Sequence, residues 1–259
     1  MFPVLFEISG LKIYSYGFFI AVGYLSALLL GRYLAKSRGL DPSPFMDIAF
    51  IAIVSGVLGA RLFFVLQNLE QFARHPGEIL DFWNGGLVFY GGFLLATFTC
   101  VLYGFWKKMP LWLSADIGVT SLALAHGFGR IGCFAAGCCY GSFCPYPWGV
   151  HNDTAFLDPA LSGQALHPVQ LYESFALFLL AGLMAWLVRA RKCSAGTVAM
   201  IYLTGYAAIR FVTEFFRGDL DRGFVVGGWL SASQGVALVL FLLGSGVLVR
   251  RFRSIGRNH

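Results

Sequence analysis

The segment His126-Gly127-Phe128-Gly129-Arg130-Ile131-Gly132-Cys133-Phe134-Ala135-Ala136-Gly137-Cys138-Cys139-Tyr140-Gly141 closes the apolar run Leu111–Phe134, and its reading decides the class of the protein. The run is long enough to enter a bilayer, where a span takes about 20 residues. Its end nevertheless carries a histidine, an arginine and three cysteines among five glycines. An arginine at membrane depth is costly without a partner and marks a functional site by default. The alternative is an arginine that snorkels to the interface from a helix end.

Working outward, the whole chain has the same character. Of its 259 residues 58% are hydrophobic and 12% charged, with a mean hydropathy of +0.70. Soluble domains carry about 25% charged residues, so the composition excludes that class and specifies a polytopic, all-α membrane protein. Seven spans are expected, at Tyr14–Leu34, Phe45–Leu66, Gly85–Phe105, Leu111–Phe134, Val169–Val188, Ala195–Phe216 and Trp229–Val249. Together they form a single polytopic domain over residues 1–259. A net charge of +6 would suggest nucleic acid in a soluble chain; here it reads as topology, with no nucleic-acid partner. Basic clusters follow alternate spans: Arg32, Lys36 and Arg38; Lys107 and Lys108; Arg189, Arg191 and Lys192; Arg250, Arg251, Arg253 and Arg257. The opposite connections offer Arg74, Arg217 and Arg222, diluted by Glu70, Glu78, Asp81, Asp219 and Asp221. The positive-inside rule places the N-terminus outside and the C-terminus in the cytoplasm. Met1–Lys12 contains Glu7 and lacks a basic n-region, so no cleavable signal peptide is expected. Asp41-Pro42-Ser43-Pro44 reads as a cap and helix start. The outer connection between spans four and five, about residues 135–168, is rich in glycine, proline and aromatics, and loops of that length are usually functional.

Hydropathy buries Arg61, Asp116, His126, Arg130, Glu173, Arg210, Glu214 and Arg217. Arg210 and Glu214 are four apart and share a helix face. One reading is a set of ion pairs holding the bundle together. The other notes more arginines than carboxylates, and guanidinium groups suit phosphate bidentately. The residues alone therefore point to a membrane-embedded site for a phosphate-bearing lipid. His167, Gln170 and Glu173 are successive three-residue steps at the entry to span five, hence roughly one helix face. Gly85-Gly86-Leu87-Val88-Phe89-Tyr90-Gly91-Gly92 opens span three; Tyr90 can supply a hydroxyl, and the glycines on their own read better as close helix packing. Cys133, Cys138, Cys139 and Cys144 form a C-x4-C-C-x4-C array that reads as disulfides or as reactive thiols. Zinc, with His126 or His151 as extra ligands, fits less well, because the spacing lacks the usual C-x2-4-C knuckle; no metal or other cofactor is expected.

The ordered set of motifs resembles the bacterial phosphatidylglycerol–prolipoprotein diacylglyceryl transferases over nearly the whole chain. The matching pieces are Tyr16-Gly17, Gly59-Ala60-Arg61-Leu62, Gly85-Gly86 with Gly91-Gly92, Gly129-Arg130-Ile131-Gly132, His167-Pro168-Val169-Gln170-Leu171-Tyr172-Glu173 and Arg210-Phe211-Val212-Thr213-Glu214-Phe215-Phe216-Arg217. The resemblance implies an inner-membrane transferase that moves a diacylglyceryl group from phosphatidylglycerol to the lipobox cysteine of a prolipoprotein, releasing glycerol phosphate. It implies catalytic roles for Arg130, Arg210, Tyr90 and Glu173, with Arg130 and Arg210 on the phosphate. It also implies a substrate cavity lined by Arg61, Tyr16, Tyr206, His167, Glu214 and Arg217. The chain departs from the family pattern at Tyr90, which replaces a histidine, and at Cys133, Ala136 and Cys138, which replace two asparagines and a glutamate. Two other readings fit the same residues: a related enzyme using the same lipid with another acceptor, and a lipid-binding or transport protein without chemistry.

Overall fold

The computed structural model describes residues 1–8, 11–81, 85–154, 156–218, 224–226 and 230–256. Its helices are α1 (Ser15–Ser37), α2 (Ser43–Gln67), α3 (Leu69–Arg74), α4 (Phe89–Trp106), α5 (Leu111–Ala136), α6 (Val169–Ala190), α7 (Thr197–Thr213) and α8 (Ala232–Gly256). Seven segments, all but α3, are long and apolar enough to cross a membrane, α7 being counted through Phe216. Trp229, the expected start of the last span, lies outside the described residues, as do Asp219, Asp221, Arg222 and Arg257. Three two-stranded antiparallel ribbons complete the fold: β1 (Val4–Ile8) with β2 (Leu11–Tyr14), β3 (Val150–His151) with β4 (Ala165–Leu166), and β5 (Phe224–Val226) with β6 (Leu230–Ser231).

The chain forms two compact units, Ala35–Ser114 and Met1–Leu34 with Ala115–His259. In the first, α2 packs on α4 through facing glycines. A Cβ on Gly59 would sit 2.5 Å from the Gly91 carbonyl oxygen, one on Gly91 2.5 Å from that of Gly59, and one on Gly92 2.7 Å from that of Gly56. Only residues without side chains permit this approach, the small-residue packing that membrane helices use where lipid removes the hydrophobic driving force. The reading of the span-three glycines as packing holds. Helix α4 begins at Phe89, not at Gly85, because Gly85 and Gly86 adopt φ of 86° and 72°. Asp41 caps the start of α2 as expected, with Pro42 already in helical conformation. Its Oδ1 accepts from the Ser43 amide at 2.9 Å, and that bond holds its carboxyl below the usual carboxylate range.

In the second unit, α7 packs between α6 and α8. Ile117, Leu177, Met184, Val188 and Val198 are fully buried there, whereas Leu179, Leu183, Val239 and Leu243 are exposed, as lipid-facing positions are. Glycine again sets the spacing: a Cβ on Gly127 would meet the Phe178 ring at 2.5 Å. Buried Asp116 of α5 accepts from the amides of Gly196 and Ala199 at 2.7 and 2.8 Å. It thereby satisfies donors at the start of α7 that have no partner within the helix. Asp116 is thus an interhelical cap.

Candidate functional site

The ends of α5 and α7 and the start of α6 carry the polar side chains of the second unit. Glu173, 1% exposed on α6, accepts from Arg130 Nη2 at 2.9 Å and from the Tyr206 hydroxyl at 3.2 Å, with His126 Nε2 at 3.9 Å. Arg130 and His126 come from α5, four residues apart and on one face. The His126 ring lies 4.8 Å from that of Tyr206, which stacks on Tyr202. Three helices therefore meet on one carboxylate. One turn from the end of α7, Arg210 Nη2 pairs with Glu214 at 2.8 Å and reaches Ser233 Oγ at 3.4 Å. Both arginines act electrostatically on Tyr206.

This arrangement amends the charge argument. Arg130 and Arg210 each have a carboxylate, so the site is not marked by surplus positive charge. Each arginine nevertheless keeps a donor in reserve: Arg130 Nε and Arg210 Nη1 are buried with no hydrogen-bond partner among the described residues. Guanidinium groups carry five donors in a fixed fork, and a buried donor left unmet costs about 1–3 kcal/mol. An anion that accepted from both would remove that penalty.

The connection from α5 to α6 closes over this end of the unit. The chain reverses at Gly137, φ 82°, and at Cys139, φ 58° in the left-handed region that non-glycine residues seldom adopt. Buried Asn152 donates to the Gly137 carbonyl at 2.8 Å, and Gln170 donates to the Cys138 carbonyl at 2.7 Å. Gly141 bridges to Arg217, the Ser142 amide donates to the Phe216 carbonyl at 2.8 Å, and the His167 amide donates to the Ser142 carbonyl at 2.9 Å. His167 is nearly buried against the Tyr172 hydroxyl, 3.2 Å from Nδ1, and the Phe216 ring. Gln170 and Glu173 are buried on one face of α6 as the spacing predicts, whereas His167 precedes the helix, which starts at Val169, and is buried by the loop instead.

All six cysteines are free thiols, so the structure carries none of the disulfides considered for the loop. Cys133, Cys138 and Cys139 have their sulfurs within 4.8 Å of one another. Cys144 does not join them; it is buried with its sulfur 3.9 Å from the Tyr146 carbonyl. Hydrogen bonds from the Cys133 and Cys138 thiols hold the Cys139 thiol well below its ordinary pKa, and Arg130 and Arg217 act in the same sense. Tyr16 packs against Gly132, where a Cβ would lie 3.2 Å from its ring, and sits within electrostatic reach of the three thiols and Arg130.

Two expected site residues belong to the other unit. Arg61 donates from Nε to the Ile79 carbonyl at 3.0 Å, from Nη1 to those of Gly85 and Gly86 at 3.0 and 3.2 Å, and from Nη2 to that of Glu78. It lies over the Phe64 and Phe72 rings. Its guanidinium holds the connection between α2 and α4, a structural task the sequence reading did not foresee. Tyr90, in the first turn of α4, is 73% exposed and packs edge to face on Phe89.

Residues 3–250 match a family model described as prolipoprotein diacylglyceryl transferase. The chain belongs to the prolipoprotein diacylglyceryl transferase family. Among its curated relatives is a phosphatidylglycerol–prolipoprotein diacylglyceryl transferase of Clostridium tetani, 39% identical over 98% of this chain and 99% of that protein. Proteins of the same name from Synechococcus elongatus and Legionella pneumophila are 33% and 32% identical over 93% of this chain, covering 84% and 94% of their own lengths. In this diacylglyceryl transferase family member, His151-Asn152-Asp153 stands out in the loop sequence but is too short a signal to name a role for Asn152. Its burial inside the loop, bonded to Gly137, Thr154 and the turn before the cysteine pair, is visible only in three dimensions.

Proposed function

We propose that this protein is a phosphatidylglycerol–prolipoprotein diacylglyceryl transferase, a multi-pass enzyme of the bacterial cytoplasmic membrane. The observation that carries the reading is the pair of buried guanidiniums with donors still to be met, Arg130 Nε and Arg210 Nη1, on helices otherwise built for lipid. A lipid phosphodiester is the anion available at that depth, and two acyl chains match the apolar surface around it. The lipobox cysteine sulfur attacks the terminal glyceryl carbon of the diacylglyceryl group. A C–S bond forms, the C–O bond to phosphate breaks with its electron pair on the phosphate oxygen, and the thiol proton leaves to phosphate or solvent. No oxidation or reduction occurs. Arg130 and Arg210 bind the phosphate and stabilise the charge it gains as the bond breaks, the logic of preorganised donors aimed at developing charge. Glu173, Tyr206 and His126 hold Arg130 in place; Glu214 holds Arg210.

The N-terminus lies outside and the C-terminus in the cytoplasm. In support, Lys107 caps the end of α4 over the Trp106 ring at 4.9 Å, and Lys192 lies 5.8 Å from the Trp186 ring beyond α6, as interfacial aromatic and basic residues do. Fluorescent and alkaline phosphatase fusions at the C-terminus test this: the first is active and the second silent, and the reverse pattern overturns the orientation. The activity is tested with the purified protein, phosphatidylglycerol vesicles and a lipobox peptide. The peptide gains the mass of a diacylglyceryl group and glycerol phosphate appears in equal amount. Lipid binding without release of glycerol phosphate would overturn the transferase reading.

A further inference from the structure

We propose that Cys133, Cys138 and Cys139 hold one thiophilic d10 cation, of which Zn2+ is the fitting case, and that its fourth position receives the thiolate of the acceptor cysteine. The second half rests on the transferase reading above; the first does not.

The geometry comes first. Three sulfurs lie within 4.8 Å of one another at the end of α5, and no histidine or carboxylate joins the group among the described residues. A zinc ion with bonds of about 2.3 Å needs tetrahedral sulfurs about 3.8 Å apart, so the thiols close on it by an ångström or less. Cys133 sits in the last turn of α5, and the left-handed steps at Gly137 and Cys139 bring the chain back to it. Asn152 and Gln170 pin the carbonyls of Gly137 and Cys138, so the reversal is fixed by hydrogen bonds to backbone, and the Cys138 thiol itself reaches the Cys133 carbonyl at 3.7 Å. A disulfide suits the trio less well. Neighbouring Cα atoms are about 3.8 Å apart, short of the roughly 4.4 Å that a disulfide usually needs, which disfavours Cys138 with Cys139. Either pairing with Cys133 leaves one thiol over.

The ligand set then indicates what the ion does. Structural zinc sites are closed by four protein ligands, whereas sites with three keep a position for water or substrate. Thiolate sulfur selects soft cations, and a thiol that coordinates one is deprotonated. Arg130 lies three residues before Cys133 on the same helix face and interacts electrostatically with Cys133 and Cys139. A sulfur bound at the fourth position is therefore held beside the guanidinium that takes the lipid phosphate. The acceptor thiol loses its proton to solvent on binding. Its sulfur then forms the C–S bond as the C–O bond breaks toward the phosphate. This places thiol activation on the cysteines, in the chain whose Tyr90 stands where the resemblance expects a histidine.

The test uses the full-length reduced protein in detergent, stripped of metal and titrated with Co2+. The expected result is a thiolate-to-cobalt charge-transfer band in the near ultraviolet that saturates at about one equivalent, disappears on adding Zn2+, and is lost in Cys139→Ser but kept in Cys193→Ser. A lipobox peptide shifts the band, whereas its Cys→Ser version leaves it unchanged. Absence of the band in the reduced wild-type protein overturns the metal site without reliance on any variant, as does its persistence in Cys139→Ser. A spectrum indifferent to the cysteine peptide overturns the open position. Metal and peptide binding without glycerol phosphate release leaves the metal site standing and removes the transferase reading. Full release by the metal-free protein keeps the transferase reading and overturns the role of the open position in activating the acceptor thiol.

Discussion

Replacing Arg130 with lysine separates two tasks that the structure assigns to one side chain. Arg130 gives Nη2 to Glu173 at 2.9 Å and keeps Nε buried with no partner among the described residues. An ammonium at the same place preserves the ion pair but has no second donor at a fixed angle to it. Removing one preorganised donor from developing charge costs about 10²–10³ in kcat, or roughly 2.7–4 kcal/mol. Arg130→Lys is therefore expected to release glycerol phosphate from phosphatidylglycerol at that reduced rate. Its thermal unfolding in detergent should stay near that of the wild type. Alanine is a poorer probe, because it strands the carboxylate of Glu173, 1% exposed, at a cost of about 3–5 kcal/mol in stability. A coupled assay for glycerol phosphate, with peptide mass as the second readout, measures the rate. If Arg130→Lys loses less than about threefold, or ~0.7 kcal/mol, the guanidinium serves the bundle and not the phosphate, and the reasoning fails.

The same substitution at Arg210 should lose turnover by a similar factor, since Nη1 is the donor left over while Nη2 serves Glu214; an unchanged rate would confine its role to that pair. Gly91→Ala drives a Cβ to 2.4 Å from that of Phe63 and 2.5 Å from the Gly59 carbonyl oxygen, and should destabilise by about 1–3 kcal/mol in detergent unfolding. Gly118→Ala, with nothing within 4 Å, should be neutral or stabilising by up to about 1 kcal/mol. Asp116→Ala leaves the Gly196 and Ala199 amides without their acceptor and should cost about 1–3 kcal/mol. Hydrogen exchange reads it directly, as faster exchange at the start of α7 with the end of α5 unchanged.

The spans were legible because lipid imposes one rule, that the backbone satisfy itself within a helix, and twenty apolar residues announce it. The ion pair Arg210–Glu214 was legible for the same reason, since a four-residue step fixes two side chains on one face. What escaped depends on chain reversals and backbone acceptors, for which composition carries no signal. Arg61 looked like a lipid ligand from its place in an apolar span, yet it donates to four carbonyls of the connection that follows its own helix. Asp116 looked like one more buried charge and is a cap for a helix eighty residues away. The close approach of three sulfurs escaped for the same reason. Four positions separate Cys133 from Cys138, and a helix end and two left-handed residues fold the chain back across them.

The two halves of the site are held in different ways, and they differ in what a change of side chain does to them. Arg130 and Tyr206 are bonded to Glu173 through their side chains and His126 packs on the Tyr206 ring, so altering Arg130, Glu173 or Tyr206 leaves a buried polar group without its partner. At the turn, Asn152 and Gln170 bind the carbonyls of Gly137 and Cys138, groups every residue type possesses. The reversal therefore survives a change of side chain at 133, 138 or 139. A loop fixed by its backbone can exchange amide and carboxylate for thiol without refolding, whereas a network fixed by side chains cannot. On this ground the turn at Cys133 and Cys138 tolerates substitution, and the arginine network does not.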